Sequence, residues 1–229
     1  MAHLIKTGDF GDLTTPVQLL EMPKPMIPAS LERLAALPSP RVLATHLQAP
    51  MLPKAAFKAK VIYIYRNAKD ACVSGYYHHK GLIGTPSDYT FEEHARQFMK
   101  GELIFSPYPD HLKGYAKIEN ENLLLLRYED VVKDRKGTIR KVAKYLNKEL
   151  SDEMVEKIYE ATSMDSMRQN KDFNWSQAKA AGVFAKESDF IRKGEIGDWK
   201  NHFTDAELLK EFNAFIAENL PPELIAPDE

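Results

Sequence analysis

The chain has 229 residues, long enough to bury one sizeable hydrophobic core, with 44% hydrophobic and 28% charged residues and a net charge of −2. That balance gives no bulk attraction to nucleic acid or to an anionic membrane, and no apolar run approaches the length of a membrane span. Cys72 is the only cysteine, which excludes an internal disulfide, and MAHLIKTGDFGDL has no long apolar leader; a reducing compartment, the cytoplasm, is the expected location.

In chain order, residues 22–28 (MPKPMIP) read as a proline-punctuated loop, and Ser30 as the cap of a short helix through Leu37. Arg41–Ala44 is short and β-compatible. Val61–Tyr65 (VIYIY) is compact, β-branched and aromatic, a strand. Asn67 then reads as an N-cap, with Asp70 at the third helical position, for a helix to about His79. Thr90 and Glu93 form a capping box for a helix reaching about Gly101. Asn122–Leu126 is apolar on both faces, as in a parallel sheet covered on both sides. Helices follow from about Lys136 to Leu146 and from Ser151 to Thr162. Residues 163–189 show little periodicity and read as a long loop, functional or disordered. Thr204 and Glu207 suggest a second capping box, for a terminal helix ending before Pro221. Strands alternating with helices imply an α/β fold with a parallel sheet. Two strong strands and a weak third are few for such a sheet, so part of it is expected to be missing or supplied by another segment.

Four constellations carry chemistry. In KVIYIYRNAKDACVSGYY, Arg66 stands where strand gives way to helix, a place where anions gather. Asn67 and Ser74 are seven apart and share a helical face, with Arg66 at its base. The group could clamp a phosphate, or Arg66 could simply pair with Asp70 and leave Ser74 solvated. In PRVLATHL, His46 follows a short strand; an imidazole titrating near neutrality suits a general base, although a lone His often has no such role. In LRYED, Tyr128 at a strand end could stack on an adenine or serve as a buried anchor. In FIRKGEIGDWKNHFT, Arg192 and Lys193 run into Gly194, with Gly197 beyond. The cations suit a phosphate and the glycines admit a ligand close to the backbone, while an Arg-Lys pair on its own is commonly a solvated surface. Adjacent His78 and His79 cannot share a metal from one helical face, and the acidic residues lack metal-loop spacing, so no metal is expected. Cys72, within an apolar helix, reads as core.

The fifteen residues Phe190–Thr204 resemble the C-terminal signature of the cytosolic sulfotransferases, which use 3′-phosphoadenosine 5′-phosphosulfate (PAPS). The other three segments resemble that family in its own order, so the likeness runs from about Arg41 to about Phe203. It implies that His46 removes the acceptor's proton. Arg66, Ser74, Arg192, Lys193 and Gly194 would hold the 3′-phosphate of PAPS. Tyr128 and the Thr162-Ser163-Met164 segment would contact the adenine, with Met164 where the family usually has an aromatic. Ala44 stands where the family has a Lys that neutralises the transferring group. The resemblance further implies one sulfotransferase domain over residues 1–229, with a P-loop-type parallel sheet flanked by helices. The family's first phosphate-loop βα unit has no counterpart in the sequence, so a chain incomplete at its N-terminus is expected.

The implied reaction moves a sulfuryl group from PAPS to a hydroxyl or amine of a small, largely apolar acceptor: a phenol, steroid, alcohol or amine. Residues 163–189 would line the acceptor pocket through Phe173, Trp175 and Phe184. The family's dimer motif keeps Lys200 and Thr204 but has Asp205 for Val and Leu209 for Glu, which leaves a homodimer open. Neither nucleic acid nor membrane is an expected partner. Ala44 and the missing loop favour the alternative, a non-catalytic nucleotide-binding or interaction protein on the same scaffold.

Overall fold

The computed structural model describes residues 18–19, 36, 39, 41–170, 174 and 176–228. In order, these form β1 (Gln18–Leu19), β2 (Leu43–Ala44), β3 (Val61–Tyr65), α1 (Ala68–Gly81), α2 (Phe91–Lys100), α3 (Tyr108–Ala116), β4 (Leu123–Arg127), α4 (Tyr128–Lys133), α5 (Arg135–Tyr145), α6 (Asp152–Ala161), α7 (Met164–Gln169), α8 (Ser176–Ala180) and α9 (Ala206–Asn219). Short 3-10 turns lie at Ala49–Met51, Lys54–Lys58, Asp198–Asn201 and Pro222–Leu224. Two compact units result, Met1–His46 with Asp134–Gly194, and Leu47–Lys133 with Glu195–Glu229.

In the second unit β3 and β4 pair in parallel, in register from Val61 opposite Leu123 to Tyr65 opposite Arg127. A parallel pair needs a crossover, and α1, α2 and α3 supply it. Helix α1 turns Ala68, Cys72, Val73 and Tyr76 inward, and α9 with its C-cap Leu220 presents Leu208, Phe212, Ile216 and Leu220 at every fourth position. These stripes meet around Phe212, whose ring lies 5.5 Å from that of Phe98 and 4.8 Å from that of Phe203. Burial pushes the Cys72 thiol well above its ordinary range, so the residue is core, as expected.

The helix ends follow from side-chain caps. Thr90 and Glu93 close the capping box on α2: the Thr90 hydroxyl oxygen accepts from the Glu93 N–H at 3.2 Å and the Glu93 carboxylate from the Thr90 N–H at 2.8 Å. Gly101, left-handed at φ 71°, ends that helix. At α9 the expected box is one residue out. Asp205, not Thr204, is the cap, and its carboxylate accepts from the Leu208 N–H at 2.9 Å. Helices α3 and α4 were not foreseen. Pro109 stands in the first turn of α3, where a missing N–H is tolerated, but in the sequence it reads as a breaker.

In the first unit β1 and β2 pair in parallel, Gln18 with Leu43 and Leu19 with Ala44. Nothing in the sequence marks β1. Helices α5 and α6 bury Ile139, Val142, Ala143, Val155 and Ile158. Residues 163–189 are not the featureless loop expected, since Ser163 caps α7, α8 follows, and Phe184 is buried against Phe190. Residues 22–28, the Ser30–Leu37 helix apart from Ala36, Phe173 and Trp175 lie outside the described residues.

Candidate functional site

The site residues divide between the two units, and each group is built by its own elements. In the second unit the work is done where β3 runs into α1. Asn67 caps α1 as expected, its side-chain oxygen accepting from the N–H groups of Lys69 at 2.9 Å and Asp70 at 3.4 Å. From the start of α4, just beyond β4, the Glu129 carboxylate accepts the Asn67 N–H at 2.9 Å. Glu129 is 1% exposed, and its second oxygen is buried without a partner.

Arg66 is held in place from several directions. Its guanidinium donates to the Glu195 carbonyl at 2.6 Å and lies 3.3 Å from an Asp70 carboxylate oxygen. It also rests 4.4 Å from the centroid of the Tyr128 ring. The Tyr108 hydroxyl donates to Arg66's own carbonyl. The Arg66–Asp70 pairing weighed as the alternative to a clamp is therefore present. It does not use up the guanidinium, because Nε is buried and has no partner. Burial raises the Tyr128 phenol above its ordinary range, and the nearby Arg66 charge works in the opposite direction. Ser74 is exposed two turns along α1, on the stripe that starts at Asn67.

Lys69 and Asn67 also border a cavity of about 250 Å³ lined by Ile216, Leu220 and Leu224. Their polar atoms are committed elsewhere. Lys69 binds Asp228 and, at 3.1 Å, Asn213, and the Asn67 amide donates to the Ala226 and Pro227 carbonyls at 3.1 and 3.2 Å. The cavity therefore offers apolar walls rather than ready donors, and it does not suit a phosphate.

In the first unit Met164 and Gly194 meet. A Cβ at Gly194 would stand 2.7 Å from the Met164 sulfur, and Gly194 is left-handed at φ 72°. The Thr162 hydroxyl donates to the Ile158 carbonyl at 2.7 Å, closing the end of α6. The backbone before Gly194 is laced to α7 by Arg168, whose guanidinium donates to the carbonyls of Arg192 and, at 3.2 Å, Ile191. Sequence reasoning passed over Arg168, because nothing in its neighbourhood marks a residue that acts on backbone 23 positions later. Arg192 is half-buried, while Lys193 and His46 are exposed. The structure brings Arg66 and Tyr128 together, and Met164 and Gly194 together.

Among the described residues no cluster of His, Cys, Asp and Glu could hold a metal ion, and no helix is long and apolar enough to cross a membrane. At the altered dimer motif, Asp205 is spent on capping α9, and Leu209 packs against the core of its own unit.

Comparison with known proteins points one way. The family model described as the sulfotransferase domain matches residues 4–221. Human sulfotransferase 1C2 is 36% identical over 191 residues, which are 82% of this chain and 64% of that protein. Rat sulfotransferase 1 family member D1 is 39% identical over 85% of this chain and 67% of its own. The chain thus spans about two thirds of the length of these curated relatives. Among solved structures, retinol dehydratase in complex with androsterone and the inactive cofactor PAP superposes with a TM-score of 0.76 at 31% identity, covering 83% of this chain and 57% of that one. Mouse sulfotransferase SULT7A1 complexed with PAP gives 0.71 at 28% identity, over 82% of this chain and 68% of its own.

Proposed function

Since the chain belongs to the sulfotransferase domain family, we propose that it binds PAPS and serves to pass the sulfuryl group to a hydroxyl or amine of a small, largely apolar acceptor. The observation that carries the nucleotide half is Arg66: a cation at the end of β3, beside the start of α1, with a buried guanidinium nitrogen that still lacks an acceptor. Arg66, Ser74, Arg192, Lys193 and Gly194 hold the 3′-phosphate in this reading. Tyr128, Thr162 and Met164 face the adenine, with the Met164 thioether offering a soft apolar surface. His46 takes the acceptor's proton as the acceptor oxygen or nitrogen bonds to sulfur. The bond from sulfur to the 5′-phosphate oxygen breaks, and 3′-phosphoadenosine 5′-phosphate (PAP) leaves with that electron pair. Residues 1–229 act as one domain, in the cytoplasm. The acceptor class draws support from retinol dehydratase, a relative solved with androsterone and, in a second structure, with retinol.

One observation favours a second reading, a nucleotide-binding protein without turnover: Ala44 puts no cation two residues before His46, where charge would otherwise be neutralised. Calorimetric titration of the chain with PAP, followed by turnover with PAPS and a panel of phenol, steroid and amine acceptors, separates the two. Saturable binding is expected, weakened roughly 10- to 100-fold in Arg66→Ala, the scale of a lost charge-assisted hydrogen bond. His46→Ala is expected to bind PAP as the parent does and to lose transfer. Binding without transfer in the parent chain would favour the second reading. A folded chain that never saturates with PAP would overturn both.

A further inference from the structure

Asp70 has a carboxylate that neither the clamp nor the capping of α1 uses. It is 1% exposed, and a charge so buried has to be met by donors. Three meet it. The Gly197 N–H donates to one oxygen at 2.8 Å, the Trp199 N–H donates to the other at 2.9 Å, and the Arg66 guanidinium lies at 3.3 Å. Gly197, left-handed at φ 80°, opens the 3-10 turn Asp198–Asn201, and no side chain within that turn caps it. A carboxylate from far back in the sequence does so instead, accepting two of the N–H groups that the start of a helical turn leaves unsatisfied. Arg66 closes the circuit by donating to the Glu195 carbonyl at 2.6 Å. Lys69, next to Asp70, lies 4.0 Å from the Trp199 ring centroid, so two neighbours on α1 grip the same short segment.

We propose that Asp70 is a positioning residue. It fastens Glu195–Trp199 to the start of α1, and from the same carboxylate it aims the Arg66 guanidinium. The proposal rests on the reading of Arg66 as a ligand for the 3′-phosphate. It adds that the strand–helix junction and the GEIGDWKN run, separate motifs in the sequence, are one device joined by a single charge. Asn at this position keeps the shape and one acceptor oxygen. It loses the charge, and its NH₂ group faces an N–H donor.

The test compares PAP with adenosine 5′-phosphate, which lacks the 3′-phosphate, by calorimetry on the parent, Asp70→Asn, Arg66→Ala and the double variant. In the parent, PAP should bind more tightly than adenosine 5′-phosphate. Asp70→Asn should shrink that preference about tenfold, as removal of a charge-assisted contact would, and the double variant should lose little more than Arg66→Ala alone. Equal weakening toward both nucleotides would mean that Asp70 supports only the fold, and would overturn the proposal. Should Asp70→Asn fail to fold, Asp70→Glu keeps the charge while displacing it, and the same loss of preference is expected. Amide hydrogen exchange reads the fastening without a ligand: Gly197 and Trp199 should be protected in the parent and exchange faster in the variant. Unchanged protection overturns the fastening itself. A parent that binds neither nucleotide but shows the exchange effect would instead overturn the nucleotide reading and leave the fastening standing.

Discussion

A side chain at residue 194 would meet two obstacles. The backbone there is left-handed, which an L-residue adopts at a penalty of about 1 kcal/mol. The added carbon would also fall 2.7 Å from the Met164 sulfur and 2.8 Å from its methyl carbon. The second obstacle is the end of a flexible side chain and can be removed by mutation; the first cannot. Gly194→Ala is therefore expected to destabilise the chain by about 1–2 kcal/mol in urea unfolding. In a Met164→Ala background the loss should fall toward about 1 kcal/mol, the backbone share alone. If the two substitutions simply add, contact with Met164 is not what reserves the position for glycine. At this scale the sequence located Gly194 but explained it by a ligand's approach. The neighbour that crowds it is a methionine thirty residues earlier, which no local pattern reveals.

At the scale of elements, caps are a sensitive test of where helices begin. Asp205→Ala should destabilise the chain by about 1 kcal/mol, because the Leu208 N–H loses its acceptor, whereas Thr204→Ala should be near neutral. At α2 the box is where the sequence put it, so Thr90→Ala should again cost about 1 kcal/mol. Chemical denaturation of the three variants decides between the two registers at α9. The contrast shows what local sequence can report. Strand β3, the Asn67 cap, α2 and the helices α5 and α6 were legible because propensity and side-chain capping agree there. At α9 two capping patterns overlap by one residue, and the carboxylate that reaches the Leu208 N–H wins. Helix α3 was hidden by Pro109 and Gly114, residues that read as breakers unless their place in the turn is known. Strand β1 has two residues and exists through its pairing with β2, so no periodicity could announce it. The candidate site divides the same way. Arg66 and Tyr128 could be picked out as chemistry-bearing residues, but their stacking, the Glu129 lock on Asn67 and the double acceptor at Asp70 are tertiary facts.

At the scale of the whole molecule, helix α1 links the candidate site to a titratable group deep in the core. Arg66 and Asp70 stand at its start. Further along, Gly75 leaves room for His94, whose Nε2 would lie 3.0 Å from a Cβ at that glycine. His94 is fully buried, with Nδ1 bonded to the Tyr89 hydroxyl at 2.9 Å and Nε2 without a partner. Burial, and then the neighbouring His79, lower its pKa from 6.5 to about 4. The imidazole is therefore neutral in the folded chain at pH 7. Between pH 6.5 and about 4 the unfolded chain takes up a proton that the folded chain does not. The stability contributed by neutral His94 is complete above pH 6.5 and falls as the pH drops toward 4, by about 3 kcal/mol in all. Replacing His94 by Gln removes the titration while leaving a polar side chain in the same place. Urea unfolding of parent and variant at pH 7.5, 6.0 and 5.0 should give a stability difference that narrows as the pH falls, because only the parent carries this proton-linked loss. A gap that stays constant across the three pH values would mean that His94 titrates alike in the folded and unfolded chains.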